Sequence, residues 1–415
     1  MRGSLCGWRE GDAFATELHT FDSKRYAKFL ELDSSNRPYR TVKTLRILIF
    51  NWQDIKNPNA GGAEVHLHEV FSRIAAMGHG VTLYCSRFPG AAPRENLNGI
   101  DVIREGGRYL FNYRVVWKYL IHFRRLGFDI VIDDWNKIPF YTPWYVREPL
   151  MGITHHLFGK SIFIEVPFPL AAYVYLTELL ALRVYRNVPL IVGSPSTHQE
   201  LVSKGFRSDQ VKVVNYGIDQ SLYRVTGVPK SDTPLVGHAG RLKRYKSVDH
   251  LLQAFKAVKA RRANAQLLIL GDGDDRPRLE KIARDLGLSD SVRFTGYVTE
   301  AKKIHYLQEM HVVVNSSAKE GWGLTVVETN ACGTCVIASN VPGLKDSVLA
   351  GETGLLYEYG NIQQLATKIC DVLSDKALQN RLSEGALQWA ARFDWDAAAK
   401  QTLKLLQRVA TERKV

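Results

Sequence analysis

The sequence predicts an α/β protein built from two doubly wound, Rossmann-like domains in tandem, facing each other across a central cleft. Its 415 residues suffice for two or three domains. Short apolar runs suited to buried parallel strands alternate with stretches whose apolar residues fall on one helical face. The alternation stops once, at the polar, turn-rich stretch VTGVPKSDT (225–233), and then restarts, which marks an interdomain linker.

Taken in order, residues 1–42 show no sustained period and end in the polar run SSNRPYRTVK. They read as an extension, in part helical near 26–32. The first domain is expected over 43–224. It opens with the strand-like LRILIFN and the polar loop NWQDIKNPNAGG. A helix follows with Leu67, Val70, Phe71, Ile74 and Met77 on one side, stopped by Gly78, His79 and Gly80 before the strand VTLYCS. Further strands are expected at 130–132, 151–154, 190–193 and 211–214. The second domain is expected over 234–393, with strands in PLVGHAGRL, QLLILGDG, VRFTGYV, HVVVNSS and CVIASN, and a helix in VDHLLQAFKAVKARR that aligns Leu251, Leu252, Phe255 and Val258. Residues 394–415 form a C-terminal helix with a basic end. Ligands of doubly wound sheets bind at the carboxyl ends of the strands, here in the cleft between domains.

Composition narrows the class. Hydrophobic residues make up 45% and charged residues 23%, so the chain buries real cores. Lys and Arg number 55 against 42 Asp and Glu, and the net charge of +13 favours anionic partners. Five scattered cysteines, and an N-terminus without an apolar segment of signal-peptide type, point to a reducing compartment, with cytoplasm the expectation. The most apolar stretch, 163–182, contains Glu165, Pro167, Pro169 and Glu178, too polar for a membrane span.

The stretch SSAKEGWGLTVVETNACGTCVIAS (316–339) carries the most chemistry. A strand ends in a loop bearing Glu320, Gly321 and Gly323, and a helix begins near Leu324 with Glu328 about one turn inside. The glycines let backbone approach a ligand, and the first amides of the helix suit a diphosphate. Glu320 and Glu328 flank that anion site and would pair with hydroxyls, one on a sugar and one on a ribose. Equally, Glu328 can be a helix acid favoured by the dipole and Glu320 a solvated loop residue.

In context, EGWGLTVVETNACGTCVIAS, with its E-x7-E spacing from Glu320 to Glu328, resembles the signature of group 1 retaining glycosyltransferases (glycosyltransferase family 4). Gly240-Arg241-Leu242 with Lys246, LLILGDG, RFTGYV, the loop NPNAGGAEVHLHEV and His155 near a strand end are similar to the family's other elements in the same order. The resemblance spans 45–398. It implies the GT-B fold and transfer of a hexose from a nucleotide diphosphate sugar to a hydroxyl acceptor, with retention of configuration, in glycan, glycolipid or polysaccharide synthesis. By the same resemblance Arg241 and Lys246 bind the diphosphate, and Gly323, Leu324 and Thr325 present amides or a hydroxyl to phosphate and sugar. Gly61 and Gly62 bring the first domain to the same diphosphate. Glu328 takes the ribose, Glu320 lies beside the sugar ring, and His155 contacts the donor sugar or positions the acceptor. The nucleotide sugar is a co-substrate, and no cofactor or metal is expected. A nucleotide-sugar epimerase and a noncatalytic nucleotide-sugar binder are the alternatives. The sequence departs from the pattern at His156, where Asp is usual, leaving two adjacent histidines to choose between, and at Ser247, Tyr216 and Trp322.

Two motifs are read as structural. Cys332-Gly-Thr-Cys335 has no second pair for zinc and is expected to pack. Asp272 and Asp274 are expected to serve a turn rather than a metal. A helix over 109–126 carries Arg114, Lys118 and Arg125 beside Phe111, Val115, Val116, Trp117, Tyr119, Leu120 and Phe123. It fits either a core helix with a solvated basic face or a surface for peripheral contact with the inner face of an anionic membrane and lipid-linked acceptors. Nucleic acid is not expected, because the basic residues are dispersed and no nucleic-acid module is present.

Overall fold

The computed structural model describes residues 44–107, 110–135 and 138–412. The expectations for residues 1–42, including the helical stretch near 26–32, lie outside the described residues.

The first sheet has eight strands: β1 (Arg46–Phe50), β2 (Gly80–Ser86), β3 (Arg94–Leu97), β4 (Ile100–Glu105), β5 (Ile130–Trp135), β6 (Leu150–Thr154), β7 (Leu190–Val192) and β8 (Val211–Val213), in the order β3-β4-β2-β1-β5-β6-β7-β8. All neighbours are parallel except the β3/β4 hairpin, which turns at Asn98-Gly99, both at positive φ. Strand β1 is buried over Ile47–Phe50, as a central parallel strand covered on both faces must be. The second sheet has six strands: β9 (Leu235–Ala239), β10 (Gln266–Leu270), β11 (Val292–Gly296), β12 (Val312–Asn315), β13 (Val336–Ser339) and β14 (Gly354–Tyr357), parallel throughout, in the order β11-β10-β9-β12-β13-β14. Each sheet has its own core. One is centred on Leu48, Phe50, Tyr84 and Val131, the other on Leu251, Phe255, Leu267 and Ile337.

Strand order reverses direction twice. In the first sheet β1 has β2 on one side and β5 on the other, and in the second β9 lies between β10 and β12. Such switch points open a crevice at the carboxyl ends of the strands. The loops leaving β1 and β9, and those leaving β5 and β12, are therefore where ligand chemistry belongs.

Helix α1 (Gly62–Ala76) follows β1 and buries Leu67, Val70, Phe71 and Ile74, the face expected from the sequence. Met77 lies beyond its end and is exposed. The 109–126 segment is a helix only over Phe111–Ile121 (α2), followed by a short 3-10 turn at Phe123–Arg125. Helix α3 (Ile162–Glu165) and helix α4 (Phe168–Val184) come next, and no charged residue interrupts α4 before Glu178. The C-terminal helix, Trp395–Glu412, returns to pack on α1 and joins it through an Arg73–Asp396 ion pair of 2.6 Å.

Candidate active site

Arg241 leaves the end of β9 and Lys246 ends the short 3-10 turn Arg244–Lys246 that follows. Glu320 lies on the loop after β12. The two elements flanking the second switch point thus supply a cation and a carboxylate, and Lys246 Nζ donates to Glu320 Oε1, which also accepts from Ser317 Oγ at 2.7 Å. Both side chains are largely buried, at 16% and 14% exposure. Burial alone would depress the Lys246 pKa, but the Glu320 charge outweighs it and holds the ammonium above its usual range. The sequence assigned these residues to different parts of the ligand; the structure joins them in one ion pair.

Helix α9, Leu324–Ala331 in the second domain, begins at Gly323, whose φ of +79° is left-handed. (Counting in chain order, α5 is Pro195–Ser203, α6 Val248–Arg261, α7 Arg276–Asp285 and α8 Glu300–Glu309.) The amides of Leu324 and Thr325 open this helix beside the Glu320 loop, a placement able to receive an anion. Glu328 lies one turn further in, buried, and accepts from Lys303 Nζ at 2.8 Å. Lys303 in α8 also reaches Glu300 at 3.0 Å and the Tyr223 hydroxyl at 2.7 Å. Burial opposes its charge and Glu328 more than restores it, so its pKa is raised. Nothing in the sequence marked Lys303.

The first domain closes on these groups through backbone. Arg241 Nη1 donates to the Asn59 carbonyl at 3.0 Å, and a methyl group on Gly61 would overlap the Arg241 guanidinium. Gly61 caps α1, with its N–H donating to Glu64 at 2.7 Å, while Gly62 faces open space. Across the same cleft, a methyl group on Gly321 would come within 2.6 Å of the His155 carbonyl oxygen. Gly321 is required by this close approach of backbone between domains, whereas at Gly61 a side chain would displace only the end of the Arg241 side chain. Lys319 pairs with Glu200 at 2.9 Å, and Asp346 accepts the Ser196 amide at 3.1 Å, further ties across the cleft.

His155 and His156 part company. His156 packs on Phe158, with ring centres 4.6 Å apart. His155 follows β6 into the cleft wall, where Nε2 meets Asp134 Oδ1 at 2.9 Å and Nδ1 meets the Tyr216 hydroxyl. Burial would lower its pKa, but Asp134 and then Glu64 raise it above the usual value. His66 stands edge-on to His155 at 5.6 Å and stacks on Tyr216 at 4.3 Å. Burial, with His155 adding to it, pushes the His66 pKa far down, and neither ring nitrogen has a hydrogen-bond partner among the described residues. Of the two rings, His155 is therefore the one whose surroundings favour the charged form. Because both nitrogens of His155 are taken up within the protein, the placement favours the positioning role over direct contact with the sugar. Asp134 is not among the residues the sequence singled out, and Tyr216 is there only as a departure from the family pattern. The signal for Asp134 was a pair of carboxylates, Asp133-Asp134, at the end of an apolar strand.

His238, inside β9, is a further buried group of the second switch point. Its Nδ1 lies 3.0 Å from the Val314 carbonyl, which can only accept, so Nδ1 carries the proton and Nε2 is a bare lone pair. The remaining motif residues take structural places. Asp272 pairs with Arg276 at 3.0 Å and Asp274 with Lys243 at 2.7 Å. Cys332 and Cys335 are buried free thiols, pushed by burial up to about 12 and about 11.

Comparison with known proteins bears on this arrangement. The profile of glycosyl transferases group 1 matches residues 219–389, and that of glycosyltransferase family 4 matches residues 60–222. A D-inositol 3-phosphate glycosyltransferase of Streptomyces bingchenggensis is 32% identical over 388 residues, 83% of this chain and 84% of that one. A second, from Corynebacterium urealyticum, is 34% identical over 246 residues, and the match spans only 58% of that relative's length and 54% of this chain. In structure, sucrose-phosphate synthase from Thermosynechococcus elongatus superposes with a TM-score of 0.75 at 23% identity, covering 88% of this chain and 98% of the other. Two parallel-sheet domains in the GT-B arrangement and a relative matched along most of both chains lead to one assignment: the chain belongs to the group 1 glycosyltransferases.

Proposed function

We propose that this chain is a retaining hexosyltransferase that takes a nucleotide diphosphate sugar as donor and a hydroxyl on a glycan or lipid-linked molecule as acceptor. The observation that carries the proposal is the convergence of Arg241, Lys246, Glu320 and the start of α9 at the second switch point, directly opposite Gly61 and His155. Arg241, Lys246 and the amides of Leu324 and Thr325 take the diphosphate; Glu328 takes the ribose; Glu320 orients the sugar hydroxyls beside the reacting carbon.

In the reaction the bond between the anomeric carbon and the diphosphate oxygen breaks, and its electron pair leaves with the nucleoside diphosphate. The acceptor oxygen bonds to the same face of that carbon, and its proton passes to the departing phosphate. Charge grows on the phosphate as the bond lengthens, and fixed cations already in place stabilise it without reorganisation. His155, held by Asp134 and Tyr216, fixes the opposite wall against Gly321. No step needs an opposed pair of carboxylates or a resident divalent metal.

Product analysis with UDP, GDP and ADP sugars tests the reading, with D-inositol 3-phosphate among the acceptors because relatives carry that name. A new α-configured glycoside from an α-linked donor is expected. An isomerised donor without glycoside would instead make the chain an epimerase, and neither product would make it a binder. Excess EDTA should change the initial rate less than twofold, whereas Arg241→Ala should lower it by about 10²-fold or more. Loss of activity on chelation with recovery on Mg²⁺ or Mn²⁺ would overturn the metal-free scheme.

A further inference from the structure

Helix α4 is apolar on every side. Its inner face buries Ala171, Val174, Ala181 and Leu182, and its one acid, Glu178, also turns inward to accept the amides of Phe158 at 2.6 Å and Gly159 at 2.8 Å. Its outer face presents Leu170, Tyr173, Leu176 and Leu180 to solvent, with Leu176 63% exposed. At 100° per residue these four fall within one stripe along the helix. A helix that is hydrophobic all round normally has partners on all sides, and contiguous exposed apolar faces mark interaction surfaces.

The apolar surface extends beyond this helix. Trp144, 65% exposed, stacks on Tyr141 at 5.1 Å, and the Tyr141 hydroxyl donates to the Thr177 carbonyl of α4 at 2.9 Å. On the other side Tyr145 meets Tyr119 of α2 at 5.5 Å, and α2 exposes Tyr113 and Trp117. Of the four basic residues of segment 109–126, Arg114 and Lys118 pair with Glu105 at 3.3 and 2.6 Å, while Arg124 and Arg125 are exposed. Lys160 and Arg183 flank α3 and α4. Helix α3, with Phe163 and Ile164 exposed, packs against the Arg244–Lys246 turn of the other domain, so the apolar surface begins at the rim of the cleft.

We infer that α2, α3 and α4 form one docking surface for an anionic lipid bilayer, and that the acceptor is lipid-linked, its hydroxyl headgroup entering the cleft past α3 while its chains stay in the membrane. This rests on the glycosyltransferase reading and names the acceptor class of that same site. The charge pattern selects the occupant. Apolar and aromatic side chains ringed by Arg and Lys suit the interface of a bilayer carrying acidic headgroups, whereas a two-fold contact between copies would set this basic rim against itself. No helix among the described residues is long and apolar enough to cross a membrane, so the contact is with one leaflet.

The test is co-sedimentation of the full chain with phosphatidylcholine vesicles, with and without about one third phosphatidylglycerol, in the absence of donor. Binding is expected to the anionic vesicles, to weaken with salt, and to fall about tenfold or more in Leu170→Glu/Leu176→Glu and in Arg124→Glu/Arg125→Glu. Thermal unfolding and the thermal shift given by UDP should be unchanged, since both pairs lie on the exposed surface outside the cleft machinery. Equal partitioning of the variants and wild type, no preference for anionic vesicles, or a dimer that Leu170→Glu/Leu176→Glu converts to monomer while vesicle binding persists would overturn the docking surface. Vesicle binding without sugar transfer to any acceptor would leave the surface standing and remove the transferase reading.

Discussion

In the proposed reading the Lys246–Glu320 ion pair serves two ends of a donor. Neutralising Glu320 leaves its hydrogen bond from Ser317 but frees Lys246 from its counter-charge, so Glu320→Gln should lower turnover by about 10²-fold while nucleoside diphosphate affinity survives. Glu328→Ala should instead weaken nucleotide binding by about ten- to a hundredfold, the worth of a hydrogen bond to a charged group. Calorimetry with nucleoside diphosphate separates them, and the opposite pattern would reverse the two roles. His238 gives a pH signature. Burial drives its pKa down to about 4 from 6.5, against the Val314 carbonyl and with help from the Lys246 charge. On acidification the unfolded chain takes the proton first, so this contribution is intact above pH 6.5 and is lost as pH falls toward 4, on the order of 3 kcal/mol. His238→Asn keeps a donor for Val314 without the titration. Urea unfolding at pH 7.5 and 5 should show a smaller loss in the variant, and equal losses would sink the account.

At the level of elements, what places the site is the exit of chain from strands beside a reversal in strand order. Arg241 follows β9, Glu320 follows β12, and α9 starts just beyond. Cys332 caps the far end of that helix and Cys335 precedes β13, where Cys335 Sγ lies 3.7 Å from the His311 carbonyl. Both thiols remain protonated and serve the seam between helix and sheet. Cys332→Ser with Cys335→Ser should keep activity within about twofold and cost about 1–3 kcal/mol of stability, through hydroxyls in an apolar setting. Activity that follows the redox state of the pair, or stoichiometric zinc by elemental analysis, would contradict the packing role.

For the whole molecule, the C-terminal helix is the element that makes sequence position a poor guide to domain membership. Trp395 lies beyond both expected domains, yet its ring stands 6.1 Å from His66 and 6.3 Å from Tyr216, and the adjacent Asp396 pairs with Arg73. Gly217 meets the Trp395 backbone so closely that a side chain there would displace it. Trp395→Ala should therefore cost about 3–5 kcal/mol and loosen the wall that carries His155. Hydrogen exchange should show α1 and the residues around β6 losing protection. Loss confined to the second domain would mean that the helix belongs there instead.

The sequence by itself determined the two α/β sheets, most strand positions and the family, because periodicity and short glycine-bearing motifs are local properties of the chain. It placed Glu320 and Glu328 on the right loop and helix, since the strand, loop and helix around them are contiguous. It did not find the β3/β4 hairpin, whose short, charged, partly exposed strands lack an apolar run. Nor did it separate α2 into buried and exposed faces: the sequence left a core helix and a membrane surface open, and the structure buries Phe111, Val115 and Tyr119 while exposing Tyr113 and Trp117. Only tertiary structure decided that His155 meets Asp134 and Tyr216 while His156 packs on Phe158, that Lys303 pairs with Glu328, and that Gly321 lies against the His155 backbone, where a side chain has no room. The hydrogen-bonded pairs that hold His155 and Glu328 lie 21 to 61 positions apart in the chain, brought together by strand order and by the closure of two domains. Pairings over such separations leave no periodic trace in a single sequence, because the energy that fixes them comes from burial and charge in the assembled cleft.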